Sequence, residues 1–345
     1  MLQPTIALSM TEAEYMTAVE TAKEAIRSTG LDHELGVEQE ESQGWRDNLP
    51  PGPLNLPMIG SLHRLGSAPH LLLAELARQH GPIIYVRLGE LPTCVLSSAE
   101  MAKEALKMHD AALASRRTLC ATQQLFYGST DIAFAPYGPY WRQDMFATGT
   151  DTTFITLDWG MTELIRNPRA MKKAQDHIRS KIGHKEQIEE SDLQELDYLR
   201  AVVKEIFRLH PAAPVLLPHL SMEDVKIGEY NIPAKIQFFV NVWAIGRNPK
   251  SWDNPEEFCP ERFMNSLIDF KGQDYELLPF GVGRQSCPAI TFGAATVELA
   301  FANLLYHFNW ELPPGVRPEE FDLTEVLGIT MHRKEHLVVV AKPYN

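Results

Sequence analysis

A single cysteine lies in a glycine-bearing loop just before an apolar helical stretch, and this arrangement constrains the chain more than any other feature. Residues 280–289 are Phe-Gly-Val-Gly-Arg-Gln-Ser-Cys-Pro-Ala. Pro288 is typical of a first helical position, which puts Cys287 against the partly positive amino end of the next helix. Such a position stabilises a thiolate. Gly281 and Gly283 lack the side chains that would hold the backbone away from a flat macrocycle.

This loop predicts that Cys287 is the thiolate ligand of a haem iron. A thiolate behind haem iron favours cleavage of the O–O bond, so the loop predicts oxygen chemistry rather than oxygen carriage. The alternative is a buried structural cysteine in a turn. The crowding of Phe280, two glycines, Arg284 and Pro288 around the cysteine favours the haem ligand.

Composition and charge exclude several other classes of protein. The formal net charge of −13 argues against a nucleic-acid partner, which rewards clustered lysine and arginine. The four cysteines lie far apart, without zinc spacing, which predicts a reducing compartment and no disulfide framework. The sequence has no run of about 18 apolar residues and its first thirty residues lack the regions of a signal peptide. We therefore expect no membrane anchor within this sequence.

Four motifs, in order along the chain, resemble those of the cytochromes P450, and the flanking sequence is similar to plant microsomal members. The matching segments are the oxygen-side helix at 148–153, Glu-x-x-Arg at 205–208, Pro-Glu-Arg-Phe at 260–263 and the cysteine loop at 279–289. The resemblance covers residues 49–345. It implies the cytochrome P450 fold, mainly α-helical with small β-sheets (α+β), and haem b as the cofactor.

The resemblance also implies the residues that hold this cofactor. Cys287 would be the axial ligand of the haem iron. Phe280, Gly283 and Arg284 of the same loop would contact the haem. Trp141 would be a further donor to it.

Asp151 and Thr152 match the residues that support oxygen chemistry in the family. The resemblance implies that the Thr152 hydroxyl supports dioxygen and water and that Asp151 relays protons, while Gly149 allows a local helix distortion. A solvated face or a helix cap is the alternative for these residues. A haem-dependent isomerase or dehydratase would share Cys287 but often lacks the Asp-Thr pair, so the pair favours a monooxygenase.

Glu205, Arg208 and Arg262 match a buried salt-bridged triad of the family. The triad specifies the fold rather than the chemistry, because removal of one partner would leave a buried charge uncompensated. Surface placement is the alternative for each residue alone.

Three positions depart from the cations that the family supplies to the haem propionates. They hold Met145, His219 and Gln285. Charge-assisted hydrogen bonds are the strong ones, so these changes predict weakened haem retention. Arg142 and Arg284 are the candidates for compensation.

The sequence around residue 143 joins two segments that the family keeps far apart. Residues 140–143 would continue along one helix, whereas residues 144–147 belong to a much later one. The resemblance therefore implies an apparent deletion at about 143/144 and a cytochrome P450 fold that lacks a block of central helices. Loss of packed helices exposes apolar surface, and at about 25 cal/mol per Å² this could exceed a typical net stability.

The amino-terminal segment has a different resemblance. Residues 1–38 resemble the ribonuclease H segment of copia-type retrotransposon polyproteins. In such enzymes several carboxylates hold two metal ions. Glu14 matches one of those carboxylates. An ordinary amphipathic helix is the favoured alternative, and we expect a fusion remnant without nuclease activity. The predicted organisation is this remnant, a linker at 39–48 and a truncated cytochrome P450 domain at 49–345.

Two functions follow from these motifs. One is a haem-dependent monooxygenase that inserts one oxygen atom of O2 into a small apolar plant metabolite, with electrons from NADPH through a cytochrome P450 reductase. The other is a non-catalytic chimeric remnant that binds haem weakly or not at all. The resemblance implies the endoplasmic reticulum membrane, and the expected lack of an anchor makes the cytosol the alternative.

Local patterns predict four elements. A helix is predicted over 68–80, ended by Gly81-Pro82, and a hairpin is predicted from strands at 83–88 and 94–96. Ser97 with Glu100 matches a capping box that opens the next helix. A helix with an apolar face is predicted over 191–210, ended by Pro211.

Overall fold

The computed structural model of the chain describes residues 48–56, 59–66, 68–89, 91–116, 145–318, 321–327 and 330–344. These residues divide into two compact units. One comprises the described part of Met1–Asp144 together with Leu217–Asn241, and the other comprises Met145–Leu216 and Val242–Asn345. The retrotransposon-like segment, the linker up to residue 47 and the 143/144 join lie outside the described residues.

A four-stranded sheet organises the first unit. The strands of this unit are β1 Ile83–Leu88, β2 Leu91–Leu96, β3 His219–Leu220, β4 Val225–Ile227, β5 Tyr230–Ile232 and β6 Gln237–Val240. The sheet has the order β1-β2-β6-β3, with β2 and β6 parallel and the other two neighbouring pairs antiparallel. β4 and β5 form a separate hairpin. In the central strands, Val95 and Leu96 of β2 and Phe238 and Val240 of β6 are completely buried, as expected for a sheet covered on both faces.

Two helices accompany this sheet, and both test the sequence predictions. Helix α1, Pro69–His80, confirms the predicted helix and ends at Gly81, whose φ of 118° suits a residue without a Cβ. Helix α2, Ala99–Lys103, continues as one π-helical turn, Glu104–Met108.

The predicted capping box is wrong by one residue. Ser98, not Ser97, is the N-cap of α2, because Ser98 has the extended backbone and its hydroxyl oxygen accepts the Met101 N–H at 3.3 Å. The predicted hairpin is confirmed, but its second strand begins before residue 94, since Leu91 already pairs with Leu88.

Helices dominate the second unit. They are α3 Met145–Arg166, α4 Pro168–Ile182, α5 Asp197–Leu209, the short α6 Val242–Ile245 and α7 Ile290–His307. The strands are β7 Phe308–Glu311, β8 Glu325–Leu327, β9 Met331–Arg333 and β10 Val340–Pro343, and they form the antiparallel pairs β7–β10 and β8–β9. The expected class, mainly α-helical with small β-sheets, is confirmed.

Helices α3, α4, α5 and α7 share one apolar core. Leu164, Ala174, Val202 and Phe301, one from each helix, are completely buried. The helices approach closely at Gly160, where a Cβ would lie 2.3 Å from Phe301 Cζ. Glycine therefore allows α3 to contact its neighbours at a distance that a larger residue would prevent.

The helix predicted over 191–210 forms in two parts. Glu190–Glu195 is a 3-10 segment, and Leu196, with φ −97° and ψ 58°, separates it from α5. Within α5 the predicted apolar face is buried, and the helix ends at His210, before Pro211. In the described part of the chain, no helix combines the length and the apolar character needed to cross a membrane.

Candidate functional site: a cysteine loop before helix α7

Backbone hydrogen bonds close the cysteine loop, residues 280–287. The Cys287 N–H donates to the Phe280 carbonyl at 2.8 Å, which joins the two ends of the loop. Within it, Gly283–Gln285 forms a single 3-10 turn, and the Ser286 N–H donates to the Gly283 carbonyl at 3.2 Å. Gly283 has a φ of 76°, a conformation that glycine adopts at little cost. The loop thus has a defined backbone.

An aromatic cluster anchors the first residue of this loop. Phe280 packs edge-on against Phe207 of α5, with ring centroids 5.1 Å apart. It also contacts Phe270 at 5.7 Å, and Phe207 and Phe270 contact each other at 5.3 Å. Such pairs stabilise beyond the area they bury. Phe280 therefore fixes the loop to the helical core.

The helix that follows the cysteine begins later than predicted. The first residue of α7 is Ile290 and Ala289 is its N-cap, so Pro288 precedes the helix and isn't its first residue. The first helical bond runs from the Gly293 N–H to the Ala289 carbonyl at 2.7 Å. Cys287 nevertheless lies close to the amino end of α7, where backbone N–H groups point outward.

Burial and a backbone hydrogen bond act in opposite directions on Cys287. Burial raises the pKa of the half-buried Cys287 thiol above its ordinary value, and a hydrogen bond from the Ala289 backbone offsets only part of this rise. The residue is a free cysteine. Cys94 differs, because complete burial alone raises the pKa of its thiol far above the usual range. Of these two thiols, Cys287 has the donor that a thiolate needs.

Asp151 and Thr152 lie near the amino end of α3. The Thr153 hydroxyl donates to the Gly149 carbonyl at 2.7 Å, and the Thr152 hydroxyl approaches the same carbonyl at 3.4 Å. Helix α3 runs without interruption through Gly149, so the local distortion expected at this glycine is not seen there. Asp151 accepts a hydrogen bond from the hydroxyl of Thr330, a residue that precedes β9.

Sequence reasoning missed Thr330. The residue belongs to none of the four motifs, and 179 positions separate it from Asp151. A threonine next to a strand has no distinguishing pattern, so the sequence contains no signal that would have found this contact.

The structure brings Glu205, Arg208 and Arg262 together in the second unit. Glu205 and Arg208 are completely buried, and the Arg208 Nε lies 2.7 Å from Glu205 Oε2. The Arg262 Nε lies 3.0 Å from Glu205 Oε1. Arg208 also donates to the carbonyls of Gly246 and Pro255, each at 2.6 Å. The charges are therefore compensated by one another and by backbone dipoles.

Two of the three positions expected to face haem propionates have described side chains. The Gln285 side-chain oxygen is buried without a hydrogen-bond partner. His219, in the first unit, is buried, and its Nδ1 lies 3.1 Å from the Leu113 carbonyl oxygen. Burial, together with the smaller repulsion from the nearby Arg116 guanidinium, lowers the pKa of His219 to about 4. His219 is therefore neutral at pH 7. The side chain of Met145 and the residues Trp141 and Arg142 lie outside the part that is described.

A mainly helical fold with a half-buried cysteine at the amino end of an apolar helix is compatible with a protein of the haem-thiolate class. A model of the family described as cytochrome P450 matches residues 50–144 and 143–340. Cytochrome P450 71AP13 of Prunus mume is 38% identical over 476 aligned positions, covering 89% of this chain and 93% of the relative. Premnaspirodiene oxygenase of Hyoscyamus muticus is 32% identical, covering 86% and 93%.

A zebrafish cytochrome P450 solved with abiraterone has the same fold, with a TM-score of 0.73 at 21% identity, covering 81% of this chain and 100% of that one. The chain belongs to the cytochrome P450 family. Its class is that of the cytochrome P450 monooxygenases, and the cofactor of the family is haem.

The described residues fit a haem on the thiolate side of the site. Cys287 combines a free thiol, a backbone donor from Ala289 and a loop without bulky side chains at Gly281 and Gly283. On the propionate side, Gln285 is uncharged. The loop therefore contains a candidate iron ligand at position 287 and an uncharged side chain at position 285.

Proposed function

We propose that this chain is a haem-dependent monooxygenase that inserts one oxygen atom of O2 into a small apolar plant metabolite, with electrons from NADPH through a cytochrome P450 reductase. The observation that carries the proposal is the closed loop that presents the Cys287 thiol beside the amino end of α7. The relatives support the substrate class, since one of them is named as the oxygenase of a diene.

The cysteine loop would hold the cofactor. Cys287 would ligate the iron, with the Ala289 amide supporting the negative charge of the sulfur. Phe280 and Gly283 would lie against the haem, and Arg284 would supply a positive charge near its edge. Trp141 is proposed as a further donor. When bound, a thiolate-ligated haem supplies the chemistry that cleaves the O–O bond.

Asp151 and Thr152 would take part in proton transfer on the oxygen side of the haem. The Asp151 carboxylate would exchange protons with water, and the Thr152 hydroxyl would hold such a water within reach. Their neighbouring positions on α3 support this division of roles, because a carboxylate accepts and releases protons while a hydroxyl both donates and accepts hydrogen bonds. Glu205, Arg208 and Arg262 would contribute to the fold and not to the chemistry.

A second candidate is a non-catalytic chimeric remnant with weak or no haem binding. The uncharged Gln285 and the neutral His219 support it, because neither offers a cation to a propionate. The family matches two segments that meet at 143–144, and the alignment with the Prunus mume relative spans 476 positions although this chain has 345 residues. Both observations favour an internal deletion at about 143/144.

The organisation of the chain remains part of this proposal. We propose a retrotransposon ribonuclease-H-like remnant at 1–38, a linker at 39–48 and a truncated cytochrome P450 domain at 49–345. The family match beginning at residue 50 supports the last of these boundaries. The endoplasmic reticulum membrane is the proposed location.

The reduced carbon monoxide difference spectrum of the full chain, purified and supplemented with haem, tests the proposal. We expect a strongly red-shifted band that disappears in Cys287→Ala and persists in Cys259→Ala, a matched control on a second partly exposed cysteine of the same unit. Absence of the band from the wild-type chain, with circular dichroism showing a folded protein, would contradict the monooxygenase and favour the remnant.

A further inference from the structure

A buried hydroxyl contacts the carboxylate that we assign to proton transfer. Thr330 is 7% exposed, and its hydroxyl donates to Asp151 Oδ2. Asp151 itself is exposed. An exposed aspartate samples several rotamers, and a hydrogen bond from a fixed donor restricts that sampling. Because the acceptor is charged, this is one of the stronger kinds of hydrogen bond.

Thr330 can act as a fixed donor because the strand that follows it is anchored at two points. The Met331 N–H donates to the Ala212 carbonyl at 3.0 Å, beyond the end of α5. Arg333, which is 3% exposed, donates to the Thr162 hydroxyl at 2.6 Å and lies 3.9 Å from the Asp158 carboxylate. Thr162 and Asp158 both belong to α3.

The spacing of these contacts matches the geometry of the two elements. Asp151 and Asp158 are seven residues apart on α3, a rise of about 10 Å. Thr330 and Arg333 are three residues apart in an extended segment, a length of about 10 Å. The extended segment therefore spans two turns of the helix, with Thr330 donating to the first of these aspartates and Arg333 lying 3.9 Å from the second.

We propose that Thr330 is a positioning residue for Asp151, an inference that rests on the proposed function. A hydroxyl that holds Oδ2 sets the side-chain torsions of Asp151 and thereby the direction of the second carboxylate oxygen. Thr330 does not exchange protons with the reacting molecules. Its role is to keep Asp151 in the orientation that delivers protons to the oxygen side.

A double-mutant cycle tests the contact without any need for turnover. The full chain is unfolded in urea as wild type, Thr330→Val, Asp151→Ala and the double variant. We expect Thr330→Val to lower the urea midpoint in the wild-type chain and to have a smaller effect in Asp151→Ala, because the acceptor is then absent. Thr330→Ser, which keeps the hydroxyl, should retain the wild-type midpoint. Equal shifts in the two backgrounds would overturn the proposal.

A second measurement separates positioning from a structural role. The haem-loaded chain, with a reductase and ethylbenzene as the apolar probe, is assayed for hydroxylated product per NADPH consumed. Thr330→Val should lower this ratio by about tenfold, less than the roughly 10²–10⁴-fold that a positioned proton-transfer group contributes, because Asp151 itself is retained. Thr330→Ser should restore the ratio. Coupled urea shifts with an unchanged ratio would overturn the proposal. If the carbon monoxide difference spectrum shows no thiolate-bound haem, the proposed function is refuted. The urea double-mutant cycle then decides whether Thr330 holds Asp151.

Discussion

At the scale of single residues, burial lowers the pKa of a histidine and so opposes its protonation. His219 occupies a position at which the family supplies a cation, but it lies in β3 with its side chain buried, near Arg116. Burial opposes protonation and the guanidinium adds repulsion, so the imidazole stays neutral. The same residue type on the surface would have kept a pKa near 6.5.

We predict that His219 makes the chain less stable at acidic pH. Its pKa is lowered to about 4 in the folded state, against 6.5 in the unfolded chain. The unfolded state therefore binds more protons between these values, and the free energy of unfolding falls as pH drops from 6.5 to 4, by about 3 kcal/mol in total. Urea unfolding at pH 7 and at pH 4 measures this fall in the free energy of unfolding.

Other groups also titrate in this range, so the comparison with variants is decisive. His219→Gln keeps a side-chain donor but cannot be protonated, and it should lose less stability on acidification than the wild type. His184→Gln, on an exposed histidine, should behave as the wild type does. An identical pH dependence for all three chains would contradict the prediction.

At the scale of elements, close approach of helices determines which residues α3 tolerates. At Gly160 an added Cβ would lie 2.3 Å from Phe301 Cζ of α7 and 2.5 Å from Ile206 Cδ1 of α5. At Gly149, on the same helix, no atom of the residues that the structure describes lies within 4 Å of an added Cβ. The two glycines thus have different roles in one element.

Alanine at these two positions should change stability in opposite directions. Gly160→Ala should lower the free energy of unfolding by about 1–3 kcal/mol, because overpacking displaces both neighbours. Gly149→Ala should raise it by about 0.5–1 kcal/mol, since alanine has the higher helix propensity. Urea unfolding of both variants tests this, and a stabilised Gly160→Ala would show that α3 can move away from α5 and α7.

At the scale of the whole molecule, the buried ion cluster holds together two distant parts of the chain. The second unit contains Met145–Leu216 and Val242–Asn345, and the intervening residues belong to the first unit. Glu205 and Arg208 come from the earlier part, whereas Arg262 and the carbonyl groups of Gly246 and Pro255 come from the later part. The cluster therefore links the two chain segments that form this unit.

Removal of the central carboxylate should destabilise the chain strongly. Glu205→Ala leaves Arg208 buried without its charge partner and deprives the Cys259 N–H of its acceptor at 2.7 Å. We expect a loss of about 3–5 kcal/mol in the free energy of unfolding. Arg78→Ala, which removes a solvent-exposed pair with Glu75, should cost at most about 1 kcal/mol. Comparable losses for both variants in urea unfolding would contradict a fold-specifying role.

Much of the local structure could be predicted from the sequence. Helix α1 forms where its apolar spacing and the Gly81-Pro82 stop predict it, and the hairpin of β1 and β2 forms around Gly89. The boundaries were less predictable. Ser97 and Ser98 are chemically equivalent as caps, and Leu196 leaves the helical region although its apolar spacing continues the pattern of α5.

By itself, the sequence determined the family, the cysteine loop and the apolar faces of the helices, because each depends on residues that are close along the chain. The tertiary structure decided between the buried triad that the resemblance implies for Glu205 and Arg208 and an exposed pair, since an i,i+3 pair of this kind is equally compatible with an exposed helix. It also decided that Thr330 contacts Asp151 and that the pKa of His219 is lowered to about 4. These properties depend on groups from distant segments, whose proximity follows from packing and leaves no pattern in the local sequence.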